Sequence, residues 1–203
     1  MKPLPRLYAI ADAAFGDPIQ LAANLFNGGA RLVQVRNKNG RPKELLQQVD
    51  RILSIAPKGA YVVVNDRVDV ALITGTGVHL GQTDLPPVTA RGLLGPMPMI
   101  GFSTHNLEQA LEADTLPVDY VAVGPIFPTT TKKNPDPVVG VAVLETICKA
   151  IRKPVVAIGG ISLENAKDVL NAGAASVAVI RDVLDSPNIA ARVQTWMELL
   201  GAA

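Results

Sequence analysis

Short apolar segments rich in β-branched residues alternate with longer segments of mixed polarity along the whole chain, and polar residues or glycine usually follow each apolar segment. The pattern predicts eight strands at residues 6–11, 31–36, 60–64, 77–80, 98–102, 119–123, 154–158 and 176–180. It predicts helices at residues 17–27, 42–56, 68–74, 87–94, 107–113, 142–151, 163–172 and 189–200. The chain therefore belongs to the α/β class.

Eight repeated strand and helix units in 203 residues predict a single-domain (β/α)₈ TIM barrel, at the short end of the size range for that fold. A doubly wound open sheet is the structural alternative. That fold would be expected to carry a glycine-rich dinucleotide-binding turn after the first strand. Residues 11–16 (ADAAFG) do not form such a motif, which favours the barrel.

Composition limits the classes of partner. The formal net charge is +1, so the chain lacks the global basic field that drives nucleic-acid binding, and any anion site must be local. The single cysteine, Cys148, excludes an internal disulfide framework and a multi-cysteine metal site. The N-terminal residues lack an apolar signal-peptide core, and no run approaches the ~20 apolar residues of a membrane span. We therefore expect a cytoplasmic protein with no membrane partner.

The second predicted strand carries polar side chains where a parallel strand is normally apolar. Side chains on a strand alternate between its faces, so Gln34, Arg36 and Lys38 project to one side. Two cations on an inward face are costly unless an anion meets them. That anion could be a pair of carboxylates from neighbouring strands or an anionic substrate, and the rest of the chain favours the substrate.

Polar residues also follow the other strands at their carboxyl ends, where barrels of this kind place their active sites. The candidates beyond the second strand are Asn65, Asp66, His79, Asp84, Ser103, His105, Thr129, Thr131, Lys132, Gly160, Ile180 and Arg181. We expect His79, inside a short strand, to be a hydrogen-bonded core residue, while the role of His105 stays open. A structural barrel has no reason to collect these groups at one rim, which favours a functional site.

Two carboxylates follow adjacent strands. Asp66 alone could be a helix N-cap, and Asp84 alone could be a turn residue before a proline pair. Together they would lie close to one another, and carboxylates that face a phosphorylated ligand need a bridging cation, for which Mg²⁺ is the usual choice. We therefore predict one magnesium ion in the active site, held by Asp66 and Asp84.

The rim offers two anion sites. The first combines cations with the predicted magnesium pair: Arg36, Lys38, Lys132, Asp66 and Asp84. The second combines Gly160, the backbone after the eighth strand and the threonine hydroxyls, where barrels often bind phosphate. Two sites imply two phosphorylated small-molecule substrates, or one substrate with phosphate at both ends.

Six segments at the strand ends, in this order, resemble the thiamine-phosphate synthase family. They are residues 34–38 (QVRNK), 65–72 (NDRVDVAL), 77–84 (GVHLGQTD), 103–106 (STHN), 119–132 (DYVAVGPIFPTTTK) and 156–161 (VAIGGI). The resemblance extends from about residue 7 to residue 185. Each segment alone is moderately specific, and the six together in order are highly specific.

The resemblance implies a (β/α)₈ barrel that condenses an aminopyrimidine methyl diphosphate with a thiazole or carboxythiazole phosphate, giving thiamine phosphate and diphosphate. It implies that the pyrimidine diphosphate is bound by Gln34, Arg36, Lys38, Asn65, Ser103 and Lys132, with Arg36, Lys38 and Lys132 catalytic. It makes Asp66 and Asp84 the magnesium ligands. The thiazole phosphate would be held by Thr129, Thr131, Gly160, Ile180 and Arg181.

Two positions depart from the family pattern. Arg181 stands where serine is often found, which changes the size of the side chain beside the thiazole phosphate, and Ala11 precedes Asp12 where threonine is usual. Two other functions stay open: a metal-independent thiazole tautomerase of the same superfamily, for which His105 could be the acid–base group, and a phospho-ligand-binding barrel without activity. A tautomerase has no diphosphate to hold, so the cations argue against it. The oligomeric state is also open, including a homo-oligomer.

Overall fold

The computed structural model describes residues 3–129 and 136–201, and these form a barrel of eight parallel strands closed in chain order. The strands are β1 (Leu7–Asp12), β2 (Leu32–Arg36), β3 (Tyr61–Asn65), β4 (Gly77–Leu80), β5 (Ile100–Thr104), β6 (Tyr120–Val123), β7 (Val155–Ile158) and β8 (Ser176–Val179). β8 pairs with β1 in the register Leu7↔Val177, which closes the barrel. The (β/α)₈ prediction is confirmed.

Helices follow the strands around the outside. They are α1 (Pro18–Asn27), α2 (Pro42–Ile55), α3 (Val68–Thr74), α4 (Pro87–Leu94), α5 (Leu107–Thr115), α6 (Val141–Ala150), α7 (Ala166–Asn171), α8 (Arg181–Leu184) and α9 (Ile189–Leu200), with a 3₁₀ turn at Ala13–Phe15. Side-chain caps begin several of them: Asp17 accepts from the Ile19 amide, Asn106 from the Gln109 amide and Asn188 from the Ala191 amide. No helix in the described ranges is long and apolar enough to cross a membrane.

Two hydrophobic clusters lie on the two faces of the strands. The larger fills the layer between strands and helices and includes the fully buried Trp196 of α9. The smaller lies inside the barrel and consists of Tyr8, Ile10, Leu32, Val63, Tyr120, Ala122, Val156 and Ala178. A strand covered on both faces is buried along its length, which explains the near-continuous apolar runs of the sequence.

Some elements differ from the sequence prediction for local reasons. β5 begins two residues later than predicted, because Arg91 binds the Pro98 carbonyl and the Asp119 carboxylate accepts from the Ile100 amide. α7 begins three residues later than predicted, because Asn165 bonds back to Gly160 and Ser162 and forms a turn there. The 3₁₀ turn and α8 were not predicted, since single-turn helices lack a periodic signal.

Gly101 makes room for Tyr120 inside the barrel. A Cβ atom added to Gly101 would lie 2.0 Å from the Cζ atom of Tyr120. We expect Gly101→Ala to lower the free energy of unfolding by about 2–3 kcal/mol, because the ring cannot leave the barrel without repacking it. Urea unfolding of the purified variant measures this.

Gly92 is the matched control, because it lies in α4 and an added Cβ atom meets nothing within 4 Å. Gly92→Ala should stabilise the protein by up to about 1 kcal/mol, since alanine is the better helix former. Equal effects of the two substitutions would show that the barrel interior around Tyr120 is not closely packed.

Candidate active site

A cavity of about 590 Å³ opens at the carboxyl ends of the strands. Its lining includes side chains from every strand or from the loop that follows it. Eleven of the predicted site residues line it: Gln34, Arg36, Lys38, Asn65, Asp66, Asp84, Ser103, Thr129, Gly160, Ile180 and Arg181. Thr131 and Lys132 lie outside the described residues, so their roles stay predictions.

β2 places two of these groups on one face but at different depths, because residues two apart share a face and follow one another along the strand. Gln34 points into the barrel, where it is 3% exposed and donates from Nε2 to the Tyr8 hydroxyl at 2.9 Å. Arg36 lies two residues further on, at the rim. Its guanidinium binds the carboxylate of Asp12, which is opposite it on β1.

Asp12 is a partner of Arg36 that the sequence did not predict. A carboxylate from a neighbouring strand therefore meets Arg36, as the structural interpretation of this strand allowed. The contact uses one of the five N–H donors of the guanidinium, so the others can bind a further anion. Asp12 thus holds Arg36 at the cavity wall. The two residues lie opposite one another on the paired strands β1 and β2, and this pairing is the signal from which the contact could have been predicted.

Three charged groups meet on the next part of the rim. Lys38 Nζ lies 3.8 Å from Asp66 Oδ2, and the Lys38 side chain is half exposed. Asp66 adopts a left-handed backbone conformation (φ 63°), which is uncommon for a residue with a side chain, and its amide donates to the His79 carbonyl. Asp84 accepts from the Gly81 amide at 2.7 Å. The backbone is strained at the position that carries the carboxylate.

Burial and, second, the neighbouring Asp84 carboxylate together raise the pKa of Asp66 to about 6, while Lys38 and Asn65 act in the opposite direction. Two carboxylates this close repel one another unless a proton or a cation lies between them. Within the described residues no group of three or more metal-binding side chains occurs. Two carboxylates with the remaining positions left to phosphate and water are nevertheless a donor set that suits Mg²⁺.

The far side of the cavity combines a glycine turn with the charged side chain of Arg181. Gly159 and Gly160 both have positive φ (99° and 65°), and a Cβ on Gly160 would lie 2.6 Å from the Pro128 carbonyl oxygen. Arg181 follows β8, and its guanidinium lies 5.5 Å from the centre of the Phe15 ring and 3.7 Å from the Asp185 carboxylate. Glycine is therefore required for the close approach of two loops at this end.

The two histidines have different surroundings. His79 is a hydrogen-bonded core residue, as predicted, with Nδ1 at 2.9 Å from the Tyr120 hydroxyl and Nε2 at 2.8 Å from Ser103 Oγ. His105 joins β5 to the loop after β6: its Nδ1 lies 2.6 Å from the Gly124 carbonyl and its Nε2 lies 3.5 Å from the Asp136 carboxylate. Both ring nitrogens of His105 therefore contact the protein itself.

Fold and site together define a class: a (β/α)₈ barrel with cations, paired carboxylates and a glycine turn around one cavity. The family model for thiamine monophosphate synthase matches residues 7–183. The chain therefore belongs to that family. The solved structure of a thiamine phosphate pyrophosphorylase from Pyrococcus furiosus is similar, with a TM-score of 0.89 and 33% identity over 97% of this chain and 96% of that one.

Curated relatives agree with the family match. The thiamine-phosphate synthase of Koribacter versatilis is 46% identical over 97% of this chain and 96% of the relative. That of Chlorobium phaeovibrioides is 44% identical over 91% of this chain and 88% of the relative. The chain thus spans nearly the full length of both relatives.

The raised pKa of Asp66 predicts how the stability of the folded protein changes with pH. In the unfolded chain its pKa is near 3.8, so as pH rises from about 4 to about 6 the unfolded state loses a proton that the folded state keeps. The stability that this proton contributes is therefore lost over that range. Without metal, Asp66→Asn should be more stable than the wild type at pH 7, by about 1 kcal/mol, and the difference should shrink towards pH 4. Thermal unfolding at several pH values measures it.

Asp69→Asn is the matched control. A hydrogen bond from Arg67 lowers the pKa of Asp69, so its carboxylate stabilises the fold when charged, and that contribution is lost as pH falls. This variant should be slightly less stable than the wild type at pH 7. The account of the paired carboxylates is wrong if Asp66→Asn destabilises the metal-free protein at pH 7 as well.

Proposed function

We propose that this chain is a thiamine-phosphate synthase, a transferase of thiamine biosynthesis. It joins 4-amino-2-methyl-5-(diphosphomethyl)pyrimidine to a thiazole or carboxythiazole ethyl phosphate, giving thiamine phosphate and diphosphate. The single observation that carries the proposal is the gathering of Arg36, Lys38 and the Asp66–Asp84 pair on one side of the rim, in a chain of this family. A cytoplasmic location remains part of the proposal.

Departure of diphosphate is the step that needs the cations. As the bond to the pyrimidine methylene breaks, negative charge builds on the leaving oxygens, and preorganised donors lower the free energy of that state. Arg36 offers a planar fork of N–H donors, and Lys38 a compact charge at the half-exposed rim. We assign Lys132 the same role from its place in the family motif. When bound, Mg²⁺ supplies charge neutralisation at the diphosphate oxygens.

Asp66 and Asp84 would hold that magnesium ion. Their carboxylates raise the free energy of the metal-free site by mutual repulsion, which supports a role that requires a cation between them. Lys38 is close enough to Asp66 to contact both the carboxylate and a phosphate. Asn65, which precedes Asp66 at the end of β3, would complete the diphosphate side of the site.

The two organic rings would occupy opposite parts of the cavity. We place the pyrimidine over Gln34 and Ser103, which are polar groups at the floor of the barrel. We place the thiazole phosphate at the Gly160 turn, with Thr129, Thr131 and the backbone and side chains of Ile180 and Arg181. Glycine at position 160 allows the loops to approach closely, which supports a site that presents backbone N–H groups to phosphate.

Bond formation needs no acid–base residue in this scheme. The nucleophile is a neutral thiazole nitrogen, which becomes quaternary without losing a proton, and a carboxythiazole would also lose carbon dioxide. The amino-substituted pyrimidine stabilises a methylene cation, which favours a dissociative path. Because both ring nitrogens of His105 contact the protein, we assign it a role in joining two loops rather than in proton transfer.

Purified protein mixed with both substrates and Mg²⁺ should release thiamine phosphate and diphosphate. A tautomerase would instead convert the thiazole alone, and a ligand-binding barrel would turn over neither substrate. Asp66→Asn and Asp84→Asn should each raise the Mg²⁺ concentration that gives half-maximal rate, whereas Asp69→Asn should leave it unchanged. An unchanged metal dependence in both site variants would remove these residues as ligands.

Lys132→Ala should lower turnover by about 10²- to 10³-fold, because a cation at the leaving group acts mainly in the transition state. Lys133→Ala, the neighbouring lysine, is the matched control and should retain nearly full turnover. Steady-state rates with circular dichroism as a check on folding measure both variants. Near-wild-type turnover in Lys132→Ala would exclude this lysine from the mechanism.

A further inference from the structure

A continuous chain of hydrogen bonds, three of them buried and the last partly buried, crosses the floor of the cavity. Gln34 Nε2 donates to the Tyr8 hydroxyl at 2.9 Å, and that hydroxyl lies 2.9 Å from the hydroxyl of Tyr120. The Tyr120 hydroxyl lies 2.9 Å from His79 Nδ1, and His79 Nε2 lies 2.8 Å from Ser103 Oγ. We call these five residues the floor chain. It links side chains of β2, β1, β6, β4 and β5.

The floor chain is set in an apolar interior. Tyr8 is 1% and Tyr120 0% exposed, and both belong to the hydrophobic cluster inside the barrel. Polar groups buried there cost free energy unless each is hydrogen-bonded, and phenylalanine at either position would fill nearly the same space without that cost. Packing alone therefore accounts for the rings but not for the hydroxyl groups.

Each inner member of the floor chain has one hydrogen to give, so the direction of one bond determines the direction of the next. When every hydrogen is donated within the floor chain, the bond from Gln34 to Tyr8 makes the Tyr8 hydroxyl the donor to Tyr120. Tyr120 then donates to His79 Nδ1, and the Nε2–H of a neutral His79 donates to Ser103. In this order the Gln34 carbonyl is left as an acceptor at the cavity, and the Ser103 hydroxyl is left as a donor.

For a neutral His79, the opposite order also donates every hydrogen within the floor chain. If the Gln34 amide is flipped, so that its oxygen and nitrogen exchange positions, every hydrogen bond reverses. Gln34 then presents a donor to the cavity and Ser103 presents an acceptor. Burial raises the pKa of both Tyr8 and Tyr120 well above the ordinary value, so both keep their hydrogens across the working pH range. The two ends of the floor chain are therefore coupled although they lie on different strands.

We propose that Tyr8, Tyr120 and His79 are positioning residues that couple the orientation of the Gln34 amide to that of the Ser103 hydroxyl. The coupling sets which ring edge the site accepts: one that offers a donor to Gln34 and an acceptor to Ser103, as an aminopyrimidine can. A 4-oxopyrimidine offers an acceptor in place of the amino donor, so the whole floor chain, and not Gln34 alone, would have to reverse to bind it. The inference rests on the proposed function and adds a source of its selectivity.

Tyr8→Phe tests the coupling, because it keeps the ring and removes the hydroxyl that joins Gln34 to Tyr120. We expect KM for the aminopyrimidine diphosphate to rise about tenfold and KM for the thiazole phosphate to stay unchanged. The ratio of kcat/KM for the amino substrate to that for its 4-oxo analogue should fall about tenfold, since the Gln34 amide can then flip independently of the other residues. A loss of packing alone would lower kcat/KM for both substrates alike and would leave their ratio unchanged.

Tyr120→Phe interrupts the floor chain in its middle and should act in the same direction, which keeps the test open if Tyr8→Phe does not fold. Tyr61→Phe is the matched control. Tyr61 packs against the same interior cluster from the other end of the barrel, at the first residue of β3, so it should change neither KM nor the ratio.

The proposal is overturned if the Phe variants of Tyr8 and Tyr120 keep the wild-type ratio, whether their rates fall or not. Failure of the proposed function would be seen separately, as absence of thiamine phosphate formation by the wild type. In that case calorimetric binding of the amino and oxo pyrimidine diphosphates to wild type and variants replaces the kinetic ratio. Equal selectivity of wild type and variants in binding would likewise contradict the coupling.

Discussion

Closure of the barrel is the constraint on which the site depends. Pairing of β8 with β1 brings the carboxyl ends of all eight strands into one ring, so residues from position 34 to position 181 surround a single cavity. The pairing is held by apolar side chains on both faces of the strands, not by the polar groups at the rim. The core therefore supports a rim whose own charges are unfavourable without a ligand.

Those unfavourable features concentrate where we place the magnesium and the diphosphate. Asp66 combines a left-handed backbone with a carboxylate whose pKa is raised by burial and by Asp84. A cation that enters this site relieves the repulsion between the carboxylates and so lowers the free energy of the site. The same features that lower the stability of the empty protein therefore favour cation binding. Arg36 is different, because Asp12 holds it in place before any substrate arrives. The rim thus combines a preorganised cation, Arg36, with the carboxylates of Asp66 and Asp84, which repel one another until a cation binds between them.

The fold was largely predictable because each strand is a short apolar run and each rim residue directly follows one. Local pattern located Gln34, Asp66 and Ser103 at the right ends of the right strands. It could not find the contact of Tyr8 with Tyr120, because those residues are 112 positions apart and both appear in the sequence as ordinary strand residues. The Asp12–Arg36 pair was missed for a related reason, since it depends on the exact register of two strands.

The central claim is that Arg36, Lys38 and the two carboxylates form one receptor for a diphosphate with its magnesium ion. A crystal structure of the protein with Mg²⁺ and inorganic diphosphate tests it most directly. We expect the diphosphate to contact both cations, with the metal ion bound by Asp66 and Asp84. Diphosphate bound elsewhere, with Arg36 paired only to Asp12 and Lys38 only to Asp66, would contradict the claim.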